Sequence, residues 1–165
     1  MKVFRVVADS SCLIGLSQIE QFELLKELFS EIYIPCAVYD EVVINGKGEA
    51  GSEETESALK GGWILKRSVN DKIGVSALST VLGKGESEVI VLCKELKLDY
   101  ALVDERKARD MAELMSINTM GVLGIIDIAM ERGFIVDKKS MVKQLMNSRF
   151  RISNKLYKEM FPDSE

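Results

Sequence analysis

The sequence predicts an α/β domain, a three-layer α/β/α sandwich around a central parallel sheet, and three observations carry that expectation. Short runs of β-branched and apolar residues at 3–8, 32–34 and 100–103 alternate with longer segments of helical period. Strands joined through helices run parallel and lie covered on both faces, so they read as near-continuous apolar runs. The chain has 165 residues, 47% apolar and 29% charged, which suffices for one such domain and is too short for two ordinary ones.

Residues 3–8 read as a buried strand that runs into Asp9-Ser10-Ser11, where Asp and Ser are good helix N-caps. The helix continues through Cys12, Leu13 and Leu16. Phe22, Leu24, Leu25, Leu28 and Phe29 recur at helical spacing among Glu and Lys and predict an amphipathic helix. Residues 32–34 form a short strand closed by Pro35, which fits the first turn of a helix carrying Val38, Glu41 and Val42. Residues 44–55, with Asn45-Gly46, Gly48 and Gly51, read as a mobile loop that leads into a helix ending at Gly61-Gly62. A short strand is expected at 63–65. Lys84-Gly85-Glu86 opens a strong helix with Val89, Ile90, Leu92, Cys93 and Leu96 on its apolar face.

The run 100–103 is a buried strand ending at Asp104-Glu105, followed by a helix that turns Ala108, Met111, Ala112 and Met115 inward. Residues 118–121 form a short turn or strand. A helix from about Val122 to Glu131 follows, with Gly133 at its C′ position. Two more helices are expected at 140–146 and 154–161. The organisation is therefore a core domain at 1–135 and a C-terminal helical extension at 136–165 packed on it.

Composition excludes several chemistries. The chain has no histidine, which removes Ser-His-Asp and Cys-His nucleophiles and any imidazole base. Cys12, Cys36 and Cys93 form no C-x-x-C pair and are expected to be reduced thiols in the core. The net charge of −4 argues against an all-over basic nucleic-acid binder. Lys138, Lys139, Lys143, Arg149, Arg151, Lys155 and Lys158 nevertheless make the C-terminal part basic, compatible with a phosphate-binding flank on an acidic metal site. No apolar run approaches the roughly 20 residues of a membrane span, and no signal-peptide pattern opens the chain, so a cytoplasmic location is expected.

In open parallel sheets, ligands gather at the carboxyl ends of strands. Two strands end in acids, one in Asp9 and one in Asp104 with Glu105. Acids delivered to one edge repel unless something offsets their charge, and a divalent cation does so. Taken singly, Asp9 is also an N-cap, Asp104 a turn residue and Glu41 a solvated surface acid. Glu86 and Glu88 stand in a first helical turn, where acids favour the helix dipole.

Five stretches in order resemble the motifs of PIN-domain proteins: Val7-Ala8-Asp9-Ser10-Ser11; Ile34-Pro35 with Val38-Tyr39-Asp40-Glu41-Val42; Leu82-Gly83-Lys84-Gly85-Glu86-Ser87-Glu88-Val89-Ile90; Leu102-Val103-Asp104-Glu105-Arg106-Lys107-Ala108-Arg109; and Thr119-Met120-Gly121-Val122-Leu123-Gly124. They are similar above all to a prokaryotic subgroup with a Gly-Glu-x-Glu motif. The resemblance implies a ribonuclease dependent on Mg²⁺ or Mn²⁺, many relatives being VapC-like toxins of toxin–antitoxin pairs. It implies Asp9, Glu41, Glu88 and Asp104 as catalytic residues, with the metal on Asp9, Glu88 and Asp104. Ser11, Glu86, Glu105 and Thr119 are implied as supporting residues, and alignment on Arg106-Lys107 favours Glu105 over Asp104. Asn118-Thr119 stands where the subgroup has Gly-Thr. Lys84, Arg106, Lys107 and Arg109 flank the motifs and are expected on the RNA backbone. The implied partners are RNA, an antitoxin protein and a second copy of the chain. For the homodimer, the stripe Leu24, Leu25, Leu28 and Phe29 adds more apolar surface than one small helix must bury.

Other readings are an RNA-processing or RNA-decay nuclease that is not a toxin, and a non-catalytic PIN-like module that binds RNA or protein. Phosphoryl-transfer proteins of the haloacid dehalogenase and receiver types also place Asp at strand ends. The first requires Asp-x-Asp, and here Asp9 is followed by Ser10 and Ser11. The second requires an acidic pair and a late lysine after a strand, a pattern the sequence lacks.

Overall fold

The computed structural model describes residues 4–148 and 152–162. In chain order the elements are β1 (Phe4–Ala8), α1 (Ser10–Gln18), α2 (Leu24–Leu28), β2 (Phe29–Pro35), α3 (Cys36–Tyr39), a π-helical turn (Asp40–Ile44), α4 (Ser52–Lys60), β3 (Leu65–Arg67), α5 (Lys72–Leu78), α6 (Lys84–Glu95), β4 (Tyr100–Leu102), α7 (Arg106–Leu114), β5 (Thr119–Met120), α8 (Val122–Glu131), α9 (Lys138–Asn147) and α10 (Asn154–Met160). The five strands form one sheet in the order β3-β2-β1-β4-β5, and every pairing is parallel.

That order explains the layers. The chain steps from β1 to β2 to β3 in one direction, then returns to the far side of β1 for β4 and β5. Right-handed crossovers running in opposite directions put their helices on opposite faces. One layer joins α1 with α4, α8 and α9, and the other joins α6 with α5 and α7 over β1 and β2. The strand order reverses between β1 and β4, which opens a crevice at their carboxyl ends. The three-layer α/β/α sandwich with a parallel sheet is thus the observed fold.

The central strands are buried as their composition requires: Val6, Val7, Ala8, Ala101 and Leu102 are fully enclosed. So are Leu13 and Leu16 of α1 and Ile125 and Ile126 of α8. Leu16→Ala is expected to lower the unfolding free energy by about 2–5 kcal/mol, the transfer loss plus the cavity left behind. Urea denaturation checks this, and a loss below about 0.5 kcal/mol would mean that α1 does not pack as described.

Several elements differ from the sequence-based expectation, each for a packing reason. The helix expected across Phe22 to Phe29 is only α2, because Phe29 opens β2 and pairs with Phe4. Leu24, Leu25, Leu28 and Phe29 are all buried within the chain, so this stripe is core and gives no argument for a dimer interface. The strand expected at 63–65 lies two residues later. Trp63 packs edge-on against Phe22, ring centroids 5.7 Å apart, and Ile64 is buried, so pairing falls to the exposed Leu65-Lys66-Arg67. Cations on an edge strand discourage further pairing.

Helix α5 was not foreseen. Its apolar content is sparse: Val75 is its buried residue while Ile73 is exposed. Asp71 starts it by accepting the Gly74 amide at 2.8 Å. The last helices stand close to where they were expected, and Gly133 follows α8 with φ +82°. Cys12, Cys36 and Cys93 are free thiols. Of the basic C-terminal part, Lys138 pairs with Asp127 of α8, and Arg149 and Arg151 lie outside the described residues, as does Val3. No helix among the described residues is long and apolar enough to cross a membrane.

Candidate active site

The reversal in strand order brings together side chains far apart in sequence. The Asp9 amide donates to Leu102 O at 3.0 Å, and the Val103 amide donates to Met120 O at 3.1 Å. These bonds tie the ends of β1, β4 and β5 into one edge, so Asp9, Asp104 and Gly121 follow side by side. Each acid there engages the start of a helix. Asp9 is buried, and its Oδ1 accepts the Ser10 amide of α1 at 2.8 Å. Asp104 Oδ1 accepts the Val122 amide of α8 at 2.9 Å. Glu86 Oε1 accepts the Gly83 amide at the start of α6 at 3.3 Å. The positive ends of three helices thereby offset part of the carboxylate repulsion.

Glu41 reaches the cluster from the π-helical turn after β2. Ser10 Oγ donates to Glu41 Oε2 at 2.9 Å and lies 3.5 Å from Asp9 Oδ1, so one hydroxyl joins two acids. Ser11 Oγ donates to Asp9 Oδ2 at 3.4 Å. Two glycines make room. A Cβ on Gly85 would overlap Glu41 Oε1, and one on Gly121 would stand 2.5 Å from Asp104 Oδ1. Gly121 has an ordinary φ of −95°, so its role is space rather than backbone freedom.

The electrostatics are those of crowded, desolvated carboxylates. Burial pushes Asp9 up to about 6; the Ser10 amide opposes this, and the charges of Glu41 and Asp104 add to it. Burial also lifts Asp104 to about 6, against the pull of the Val122 amide and the Arg109 charge. Glu86 is raised to about 7 by burial, by a hydrogen bond shared with Glu105 and by the Asp9 charge. Beneath them the enclosed Cys12 thiol is pushed well up by burial and by both aspartates. Asp104 Oδ2 and Glu86 Oε2 are buried and accept no hydrogen bond. Unsatisfied buried acceptors are rare in folded proteins and call for an explanation such as an ion.

Among the sequence-predicted residues, Asp9, Glu41 and Asp104 gather at one edge, with Ser11 and Glu86 against Asp9 and Glu105 against Glu86. Glu88 is buried and its Oε1 accepts the Ala37 amide of α3 at 3.1 Å. The two glutamates of α6 therefore part company, Glu86 towards Asp9 and Glu88 towards α3. Thr119, Arg106 and Arg109 line a cleft of about 520 Å³ beside Asp104. Lys84 and Lys107 are exposed and stand outside that cleft. Ser10, Gly85 and Gly121 were not singled out from the sequence; their signal was adjacency to a predicted acid, directly for Ser10 and through a close approach for the glycines.

The donor chemistry fits a hard divalent cation. The acids offer only carboxylate oxygens, two of them buried and unpaired, which suits Mg²⁺ or Mn²⁺ better than a soft metal. Among the described residues no three of these side chains form a ready ligand set, so an ion would have to draw them inward.

Fold and site define a doubly wound α/β domain with an acidic centre at its switch point. A family model described as a PIN domain, DUF3368, matches residues 5–165, and the chain belongs to the PIN-domain family. Members of that family are generally metal-dependent nucleases. No curated protein matches the chain. Its fold is similar to that of a PilT N-terminus domain protein, SSO1118, from the hyperthermophilic archaeon Sulfolobus solfataricus P2. The TM-score is 0.51 at 14% sequence identity, over 90% of this chain and 98% of that one.

Proposed function

We propose that this protein is an endoribonuclease that hydrolyses RNA phosphodiester bonds with Mg²⁺ or Mn²⁺ held by Asp9, Asp104 and Glu86, and with Glu41 at the rim. The observation that carries this reading is the pair of orphaned oxygens, Asp104 Oδ2 and Glu86 Oε2, in a centre whose acids are raised towards neutrality. Glu86 takes the place that the resemblance gave to Glu88, because the Glu88 carboxylate already serves the Ala37 amide.

When bound, the cation supplies Lewis-acid stabilisation of charge on the phosphate and a more acidic water. The chain supplies the rest. The Ser10 amide and Ser11 hydroxyl fix the Asp9 carboxylate, and the Val122 amide fixes Asp104. Ser10 Oγ aims Glu41, the exposed acid, which receives the proton as water oxygen bonds to phosphorus. The ribose oxygen departs from the opposite side and takes a proton from solvent. Arg106 and Arg109 hold the phosphate in the cleft beside Asp104. The same chemistry serves a toxin, whose partners would be an antitoxin and a second copy, and an RNA-processing or decay nuclease.

Incubation of the purified protein with total RNA in Mn²⁺, in Mg²⁺ and in EDTA tests the reading. Cleavage in the metal ions and none in EDTA is expected; cleavage that survives EDTA, or none under any condition, overturns it. Gly121→Ala probes the geometry. Its Cβ would collide with Asp104 Oδ1 while the backbone accepts alanine, so the fold should persist. An ångström of displacement can cost about 10²-fold in rate, and a loss of roughly that size is expected. Unchanged cleavage by this variant would show that the position of Asp104 does not matter.

A further inference from the structure

Glu41 is exposed, so burial does not fix it at the rim of the centre. Its backbone belongs to a short helix of uneven pitch. The chain passes from α3 into the π-helical turn without leaving helical conformation, with φ −56° at Tyr39 and −60° at Asp40. The turn then widens, and the Asn45 amide reaches back to Asp40 O at 2.8 Å. Wide turns of this kind interrupt the regular ladder and are frequent at functional sites. The position of Glu41 therefore depends on what holds the first turn of the segment 36–44.

Helix α6 holds that segment at two points. Gly85 lies so close to Glu41 that a Cβ there would overlap Oε1. Glu88 stands three residues later on the same face of α6, and its Oε1 accepts the Ala37 amide at 3.1 Å. Ala37 precedes Glu41 by four residues, about one turn. Two successive turns of α6 thus meet two successive turns of the segment, Gly85 against Glu41 and Glu88 against Ala37. Ala37 is in the first turn of α3, where an amide has no partner within the helix and takes its acceptor from elsewhere. Glu88 is buried, and Asp9 is the other buried charged residue among those described. Burying a carboxylate is unfavourable unless it is hydrogen-bonded. An apolar side chain would fill the same space with less desolvation, but it could not accept the amide.

We propose that Glu88 is a positioning residue for Glu41. Its carboxylate clamps the first turn of 36–44 to α6 and so sets where Glu41 meets Ser10 and the acidic centre. The role of Glu41 as proton acceptor rests on the ribonuclease reading; the clamp does not, and it is measurable without cleavage.

Two substitutions separate reach from charge. Glu88→Gln removes the charge and keeps the length, and its side-chain oxygen can still accept the Ala37 amide. Glu88→Asp keeps the charge and is one methylene shorter. RNA cleavage in Mn²⁺ by Glu88→Gln is expected within about threefold of the wild type, whereas Glu88→Asp should lose about 10–100-fold in kcat, the usual effect of removing a supporting partner. KM and Mn²⁺ affinity should not change, because Glu41 stands apart from the acids proposed to hold the ion. In a Glu41→Gln background, Glu88→Asp should cost less than about twofold more, since residues that act through one another are not additive. Hydrogen exchange read by mass spectrometry follows the clamp without RNA. Peptides covering 37–45 should exchange at least about tenfold faster in Glu88→Asp than in the wild type or Glu88→Gln, and those covering β1 and α8 should be unchanged. Should Glu88→Asp fail to fold by circular dichroism, Glu88→Met, of similar volume and without a carboxylate, takes its place. Equal activity of the Glu88→Gln and Glu88→Asp variants, a full further loss in the Glu41→Gln background, or unchanged exchange over 37–45 overturns the proposal. If exchange responds as expected but the wild type cuts no RNA, the ribonuclease reading fails and the clamp stands.

Discussion

Asp9→Asn is expected to abolish metal-dependent RNA cleavage and leave the protein folded, with undiminished stability in the absence of metal. Loss of one charged oxygen from a carboxylate-held cation should cost at least as much as loss of an outer-shell partner, about 10–100-fold. Folding should not suffer, since Asn and Asp rank together as N-caps. An asparagine oxygen can still accept the Ser10 amide that Asp9 Oδ1 now accepts at 2.8 Å. The substitution also removes a buried charge facing Glu41 and Asp104. Asp9 is lifted from 3.8 to about 6, and each pK unit corresponds to about 1.4 kcal/mol, so a gain of about 1–3 kcal/mol at pH 7 is expected without metal. Urea denaturation in EDTA and a cleavage assay in Mn²⁺ read the two effects separately. Cleavage at the wild-type rate would remove Asp9 from the reaction. A large fall in stability would mean that the negative charge of Asp9 supports the fold, against the account of a buried charge repelled by its neighbours.

The second large effect is the dependence of stability on pH and metal. Asp9 and Asp104 bind protons more tightly in the folded state, at about 6, than the ordinary value of 3.8, and Glu86 does so at about 7 against 4.5. Between about pH 4 and pH 7 the folded state therefore holds protons that the unfolded state has released, and the contribution of these groups to stability falls as pH rises. Above about pH 8, past the folded-state value of Glu86, the penalty is complete and constant. The metal-free melting temperature should thus be higher at pH 5 than at pH 8. A divalent cation should reverse the difference at pH 8, because it binds the ionised acids of the folded state. At a hundred times its dissociation constant it adds about 2.7 kcal/mol, equivalent to roughly 5–11 °C in a domain of this size. In Asp9→Asn both the pH slope and the metal shift should shrink. A metal-free melting temperature that climbs from pH 5 to pH 8, with no response to Mn²⁺, would contradict the crowded-carboxylate account.

The separation of stability from activity at one residue has a physical origin. The site is assembled from groups that disfavour one another until a cation or proton intervenes. Asp104 Oδ2 and Glu86 Oε2 are buried without partners; among the described residues Thr55 Oγ1 and Tyr157 Oη share that state, but only the two carboxylate oxygens stand in the acidic centre. Relief of such strain is the expected route to a more stable but inactive variant.

What the sequence determined by itself is what depends on local period and composition. The apolar runs of β1 and β4 are enclosed on both faces, so their identity as central parallel strands could be read directly, together with the acids at their ends. The apolar faces of α6 and α8 were equally legible, and the absence of histidine already removed imidazole chemistry, leaving carboxylates, lysines, hydroxyls or a bound metal. Tertiary structure decided the rest, because the remaining questions concern rotation, register and close approach. Residues two apart on a helix point about 200° from one another, so the sequence could offer both Glu86 and Glu88 but not say which faces Asp9. The seating of α6 over β1 and β2 settles it, sending Glu86 to Asp9 and Glu88 to the Ala37 amide. The Leu24, Leu25 and Leu28 stripe is amphipathic whether it meets another chain or its own sheet, and only packing places it in the core. The spaces left by Gly85 and Gly121 are visible only once Glu41 and Asp104 arrive from distant parts of the chain. Local sequence sets which groups each element can present; the reversal of strand order between β1 and β4, a property of the whole chain, sets which of them meet.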